Sequence, residues 1–276
     1  MKEFRGKVAA ITGAGSGIGR ALAVELSARG THLALSDIDD EGLAVTVAAC
    51  EGRAVKVTSA NVDVADRSAV EAWADAVVAE HGAVHLVVNN AGVALSATVD
   101  AMSYEDLEWL MGINFWGVVH GTKSFLPHLK AAGEGHVVNI SSVFGLISIP
   151  SQSAYNAAKF AVRGFTDSLR IELEAERCGV SATTVHPGGI RTNIARNARI
   201  DASTAEVAGD LERARAEFDR MLRTSPEDAA NQILTAVRRN RRRALIGPDA
   251  VVFDVVSRLP AGVHQRALVL GSRLRR

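Results

Sequence analysis

Thr12-Gly13-Ala14-Gly15-Ser16-Gly17-Ile18-Gly19 closes a short apolar run, residues 7–12 (KVAAIT), and leads directly into the helix-like segment 19–29. Glycines at a strand-to-helix turn let the backbone approach a pyrophosphate, whose charge then rests on the positive end of the helix. The common spacing GxGxxG fits in neither register, because Ile18 or Arg20 stands where the third glycine belongs. TGxxxGxG does fit, through Gly13, Gly17 and Gly19. A tight loop with no ligand also uses glycine, so the position after a first strand and before a helix carries the reading.

Outward from this turn, short apolar runs alternate with helical stretches. Residues 32–36, 54–57, 85–89, 136–140, 181–186 and 244–246 are strand candidates, while 68–81, 104–130 and 154–177 have helical periodicity. Such alternation predicts an α/β fold: one parallel sheet, helices on both faces and right-handed crossovers, within one domain spanning 1–276. Strand signals stop over about 188–224, and charged helical residues take over. An insertion at that place, after a strand's carboxyl end, is positioned to act as a lid.

With 47% hydrophobic and 22% charged residues, the composition is that of an ordinary soluble globular chain. The formal net charge is zero, so no global field favours nucleic acid or an anionic membrane. Cys50 and Cys178 have no metal-ligand or CxxC spacing, which fits a reducing compartment. No apolar signal-peptide core or membrane-length run occurs, and the expected location is the cytoplasm.

The second strand ends at Ser36-Asp37. An acidic residue about 20 residues beyond the glycines can accept hydrogen bonds from ribose hydroxyls and repels a 2′-phosphate. Ser16 and Ile38 bring no positive charge beside it, so NAD is favoured over NADP. The alternative use of Asp37 is to cap the following helix.

Tyr155 and Lys159 form a Y-x-x-x-K pair on one helix face. An ammonium close to a phenol favours the phenolate, which can take a proton from an alcohol or, reprotonated, give one to a carbonyl. Ser142, thirteen residues before Tyr155 and just past a strand, could hold the reacting oxygen. Asn114 lies within helical periodicity, a poor place for Asn by propensity. Buried there, it needs hydrogen-bond partners and could anchor a proton path through Lys159. Asn89-Asn90-Ala91-Gly92 follows the fourth strand, where carboxyl ends converge on a crevice.

In this order, TGxxxGxG, NNAG, Asn114, Ser-x12-Tyr-x3-Lys and Pro187-Gly188 closely resemble the short-chain dehydrogenase/reductase family, in its compact single-domain branch. The match runs over 12–192. The resemblance implies a Rossmann-type, doubly wound sheet of seven strands, and hydride transfer to or from NAD(H) without a metal. It implies that Tyr155 is the acid/base, that Ser142 orients the substrate oxygen, that Lys159 binds the nicotinamide ribose, and that Asn114 holds a relay water. It further places Gly13, Ser16, Gly17, Ile18, Gly19, Asp37, Asp63, Val64, Asn90, Ala91, Gly92, Pro187, Gly188, Ile190 and Thr192 at the cofactor, and implies a homotetramer or homodimer.

The surroundings of Tyr155 are apolar. Val93, Leu95, Phe144, Ile149 and Gln152, with Ser142, are expected to border the substrate, and Arg191 and Arg196 form no evident anion clamp. These residues fit a small apolar secondary alcohol or ketone; packing or a subunit contact would also account for them. The run Arg238-Arg239-Asn240-Arg241-Arg242-Arg243 reads as a helix end where cations offset the macrodipole. The tail 260–276 alternates apolar and basic residues. Covering the pocket, packing on a neighbouring subunit and resting on a membrane surface are all compatible with it. A catalytically silent dinucleotide sensor is the alternative function, although Tyr155, Lys159 and Ser142 are all present.

Overall fold

The computed structural model describes residues 1–194, 196–209, 216, 220 and 222–273. Its first half runs β1 (Val8–Thr12), α1 (Gly17–Ala28), β2 (His32–Asp37), α2 (Asp40–Cys50), β3 (Val57–Asn61), α3 (Arg67–His81) and β4 (Leu86–Asn89). The short strand β5 (Leu95–Ser96) precedes α4 (Tyr104–Met111), and α5 (Gly117–Ala131) leads to β6 (Gly135–Ile140). Then follow α6 (Ser153–Glu176), β7 (Val180–Pro187), β8 (Arg199–Ile200) and α7 (Thr204–Ala208). The helix Pro226–Arg238, β9 (Arg243–Ile246) and the helices Pro248–Val256 and Ala261–Arg273 complete the chain.

Seven strands form one parallel sheet in the order β3-β2-β1-β4-β6-β7-β9. The chain builds outward from β1 to β3, then returns to β4 on the other side of β1. That reversal opens a crevice at the carboxyl ends of β1 and β4, the usual ligand position in such sheets. Both faces are covered, and β1 shows why its residues are all apolar until Thr12. Ala9 and Ile11 pack with Leu22, Leu26 and Ile233 on one side, and Val8 and Ala10 with Trp73, Phe125 and Leu129 on the other. A strand covered on both faces needs apolar residues at every position rather than at alternate ones.

Two expectations change. The third strand begins where the candidate 54–57 ends, because the β2 partners run from Leu33↔Val57 to Asp37↔Asn61. The periodic stretch 104–130 is not one helix: a π-helical turn, Gly112–Trp116, separates α4 from α5. The described part of the expected lid holds β8, α7 and a bridge from Ile190 to Thr224 that draws its ends together. The rest of that expectation, 195, 210–215, 217–219 and 221, lies outside the described residues, as does 274–276 of the tail.

Under the crevice lies a buried polar network. The Asn89 amide donates to Thr122 Oγ1 (3.1 Å) and Asn139 Oδ1 (2.8 Å), and Asn139 donates to Thr166 Oγ1 (3.0 Å), joining β4, β6, α5 and α6. Gly121 lets α5 approach, because a Cβ there would overlap Asn89 Oδ1. Gly121→Ala is therefore expected to destabilise the fold by about 1–3 kcal/mol. Gly164→Ala, on an open face of α6, should raise stability by about 1 kcal/mol. Urea unfolding of the two variants checks this; equal midpoints would contradict the packing described.

Candidate active site

The glycine turn is held from below by side chains of its neighbour strand. The Asn90 amide donates to the carbonyls of Thr12 and Gly13 (3.0 Å each), and Thr12 Oγ1 accepts the backbone N–H groups of Asn90 (3.0 Å) and Ala91 (3.1 Å). Gly13, at φ +64°, leaves no room for a Cβ, which would lie 2.7 Å from Ala91 Cα. A Cβ on Gly19 would overlap the Gly13 carbonyl, so helix α1 can start this close to the turn only as glycine. Ser16, the N-cap, makes no side-chain cap bond, and Gly17 faces Thr192 from across the crevice. Ile18 packs against the core on the α1 side. This backbone cradle, with a helix N-terminus free of acidic residues, fits a pyrophosphate.

Asp37 stands at the rim. Its carboxylate accepts the N–H groups of Gly15 (2.7 Å) and Asp39 (3.1 Å), which leaves acceptor capacity for hydroxyls. The capping alternative goes to Asp39, whose side chain accepts Gly42 N–H at the start of α2. Asp63 accepts Ala65 N–H (2.9 Å), and Val64 packs against Gly117. Sequence reading missed Arg20: its guanidinium is held by the carbonyls of Gly15 and Gly42 and by Thr46 Oγ1. A cation in the first turn of a helix is unfavourable for the dipole, which was the available signal.

The groups expected to act on the substrate meet at the far end of the crevice. Tyr155 is hydrogen-bonded to the Ser142 hydroxyl, and Lys159 Nζ lies 5.5 Å from the Tyr155 ring centre. Lys159 Nζ donates to the Ile140 carbonyl (3.1 Å), and the Lys159 carbonyl accepts Ser141 Oγ–H (2.8 Å), so α6 is pinned to the end of β6 twice. Gly145 permits that approach, since a Cβ would lie 2.7 Å from the Lys159 carbonyl oxygen. Asn114, fully buried in the π turn, exchanges two hydrogen bonds with the Val93 backbone (2.8 and 2.9 Å). A Cβ on Gly92 would sit 3.2 Å from Asn114 Oδ1 and 3.6 Å from Lys159 Nζ, so the two groups flank one glycine. Irregular π turns of this kind are frequent at functional sites.

Electrostatically the site departs from expectation. Burial pushes the Tyr155 phenol up to about 12, against a smaller opposing effect of the Ser142 hydrogen bond. Burial also brings Lys159 down to about 8. Desolvation of both groups thus outweighs their attraction in the chain by itself, correcting the expected lowered phenol. Behind Ser142, neutral His186 donates Nδ1–H to the Ser142 carbonyl (2.8 Å), and burial holds it down at about 4.

Among the residues expected at the substrate, Phe144 stands edge-on to Tyr155 (6.3 Å), and Val93 and Leu95 join Tyr155 in a separate apolar cluster. The Ile149 carbonyl receives the Asn156 amide, and Gln152 bridges Ala97. Within the stretch expected to form a lid, β8 pairs with β5, and Arg199 stacks 3.6 Å over Trp109 while pairing with Asp106 (2.7 Å). Arg191 and Arg196 are exposed. Pro187 ends β7, Gly188 N–H donates to Ile246, and Gly189 N–H donates to Asp249 Oδ2 (2.6 Å), a tether with no sequence signal.

A family model described as short chain dehydrogenase matches residues 7–203. The chain belongs to the short-chain dehydrogenase family. It is 52% identical over 273 residues to a Mycobacterium tuberculosis protein that carries the name oxidoreductase SadH, covering 98% of this chain and 97% of that one. It is 31% identical to estradiol 17-beta-dehydrogenase 11 of Macaca fascicularis, covering 91% of this chain and 78% of the relative. A Burkholderia phymatum short-chain dehydrogenase/reductase solved with NAD superposes with a TM-score of 0.86, at 33% identity and 97% coverage of both chains. This short-chain dehydrogenase is accordingly an oxidoreductase with the seven-stranded sheet of its family.

A buried ammonium implies a pH-dependent cost. The folded Lys159 is lowered from 10.5 to about 8, so the penalty is full below about 8 and fades as pH rises toward 10.5. Lys159→Met should therefore exceed the wild type in stability at pH 7, by on the order of 3 kcal/mol. The difference should shrink by pH 10. Thermal unfolding at the two pH values checks it, and a pH-independent difference would contradict the burial argument.

Proposed function

We propose that this short-chain dehydrogenase transfers a hydride between NAD(H) and an apolar secondary alcohol or ketone, with Tyr155 as the proton donor and acceptor. The observation that carries the reading is the convergence of Tyr155, Ser142 and Lys159 at the end of a glycine-lined crevice. The nicotinamide ring, when bound, supplies the hydride chemistry. The turn at Gly13–Gly19 would hold the pyrophosphate, Asp37 the adenosine ribose, and Ile190 and Thr192 the carboxamide end. Asp63 and Val64 would flank the adenine. Asn90, Ala91 and Gly92 would line the floor.

Ser142 Oγ, hydrogen-bonded to Tyr155, would orient the substrate oxygen so that Tyr155 Oη exchanges one proton with it. Lys159 would steady the ribose and favour the phenolate during oxidation. Asn114, beside Lys159 across Gly92, would hold the relay water. NAD rather than NADP is supported by the Asp37 carboxylate and by Arg20, whose guanidinium is engaged by carbonyls instead of facing a 2′-phosphate. An apolar substrate is supported by Phe144, Val93, Leu95 and Ile149 and by the steroid named in a relative. Association of identical subunits is supported by Trp116, Phe160 and Ile171, exposed on the π turn and α6.

Tyr155→Phe is expected to keep NADH binding, followed by fluorescence, and to lose turnover by about 10²–10⁴-fold in an NADH-absorbance assay over steroid, terpenoid and aliphatic alcohols. Full activity in that variant would overturn the role of Tyr155. In the same assay the wild type should prefer NAD⁺; a strong preference for NADP⁺ would overturn the role of Asp37.

A further inference from the structure

A net charge of zero conceals an uneven distribution. Ten of the 31 Lys+Arg residues and two of the 31 Asp+Glu residues lie in 238–276, so that stretch carries +8 and residues 1–237 carry −8. Among the described residues, part of this charge lies around β9, where Arg242 pairs with Glu174 (2.5 Å). Arg243 on β9 pairs with Asp254 (3.0 Å), so helix Pro248–Val256 returns along β9 and ends beside the basic run 238–242. Arg258 pairs with the same Asp254 and stays exposed, as do Arg239, Arg241 and Arg266.

Close in the chain to these arginines stands a set of exposed apolar residues. Val251, Val252, Val255 and Leu259, with Val263 and Leu270 beyond, are between 46% and 61% exposed. Exposed apolar side chains in a strongly basic stretch suit the boundary between acyl chains and anionic headgroups. A symmetric contact with a second copy through this face would bring two strongly positive stretches together. A nucleic acid would find no stacking surface, because the stretch's one aromatic residue, Phe253, turns inward to Phe144 (6.5 Å). Phe144 in turn meets Tyr155, so the face lies one helix away from the reacting group.

We propose that this C-terminal face docks on an anionic lipid surface, and that docking presents the pocket to an apolar alcohol or ketone dissolved in the bilayer. No helix among the described residues is long and apolar enough to cross a membrane, so the contact is peripheral. Docking stands apart from the proposed reaction; the exchange of substrate rests on it.

Co-sedimentation of the full chain with vesicles tests docking without any turnover, using phosphatidylcholine alone or mixed with phosphatidylglycerol. NADH fluorescence confirms that each variant is folded. Binding is expected to the mixed vesicles, to be weak on phosphatidylcholine, and to fall with salt. Arg239→Gln and Arg241→Gln should each weaken it about fivefold, and Val255→Asp should abolish it. No binding, or equal binding to both vesicles, would overturn the proposal. So would loss in the arginine variants alone, which would assign the face to a soluble polyanion. A Val255→Asp oligomer that dissociates without vesicles, seen by sedimentation velocity, would assign the face to a subunit contact instead.

Discussion

The close approach between the turn after β1 and the turn after β4 governs the site. Thr12 Oγ1 and the Asn90 amide together make four hydrogen bonds across it, and Gly13 and Gly19 are the residues that let the backbones touch. Each later group is placed from there. Gly92 leads to Val93, Val93 is held by Asn114, and Asn114 shares Gly92 with Lys159. Lys159 is tied to Ile140 and Ser141, and Ser142 follows them with its hydroxyl on Tyr155. A continuous chain of side-chain-to-backbone hydrogen bonds and close contacts thus runs from the glycine turn to the phenol.

Such a chain separates what the sequence displays from what it hides. Gly13, Gly17 and Gly19 are legible because a missing side chain at a strand-to-helix turn has few other uses. The sheet is legible because doubly covered strands are buried throughout and mostly apolar, as β1, β4 and β6 are, with Thr12, Asn89, His136 and Asn139 their polar exceptions. Asn114 stood out as an ill-suited helix residue, yet periodicity could not show that the helix breaks around it. Hydrophobic spacing changes little when one turn widens from α to π. The tether from Asp249 to Gly189 and the grip of Arg199 on Trp109 were invisible, since both join residues far apart in the chain through one side chain each. The start of β3 at Val57 was misplaced because its residues are half exposed and polar, and pairing with β2 decides their conformation.

Desolvation dominates the electrostatics. A phenol and an ammonium enclosed in the same apolar wall both resist ionisation, even though each would favour the charged form of the other. The consequence is a phenol that keeps its proton and a lysine that can lose its charge near neutral pH. Charge at the C-terminal face behaves oppositely. There the exposed arginines remain in water and keep their charge at the surface.

The chain has two tyrosines, Tyr104 and Tyr155, and Tyr104 is 81% exposed. A ¹³C NMR titration of tyrosine labelled at Cζ therefore shows two resonances, and a Tyr104→Phe variant assigns the one that belongs to Tyr155. If Tyr155 is the acid/base, its resonance in the chain alone should titrate at about 12 and move to lower pH when NAD⁺ saturates the protein. A Tyr155 that titrates at the ordinary phenol value of about 10, and does not respond to NAD⁺, would contradict it.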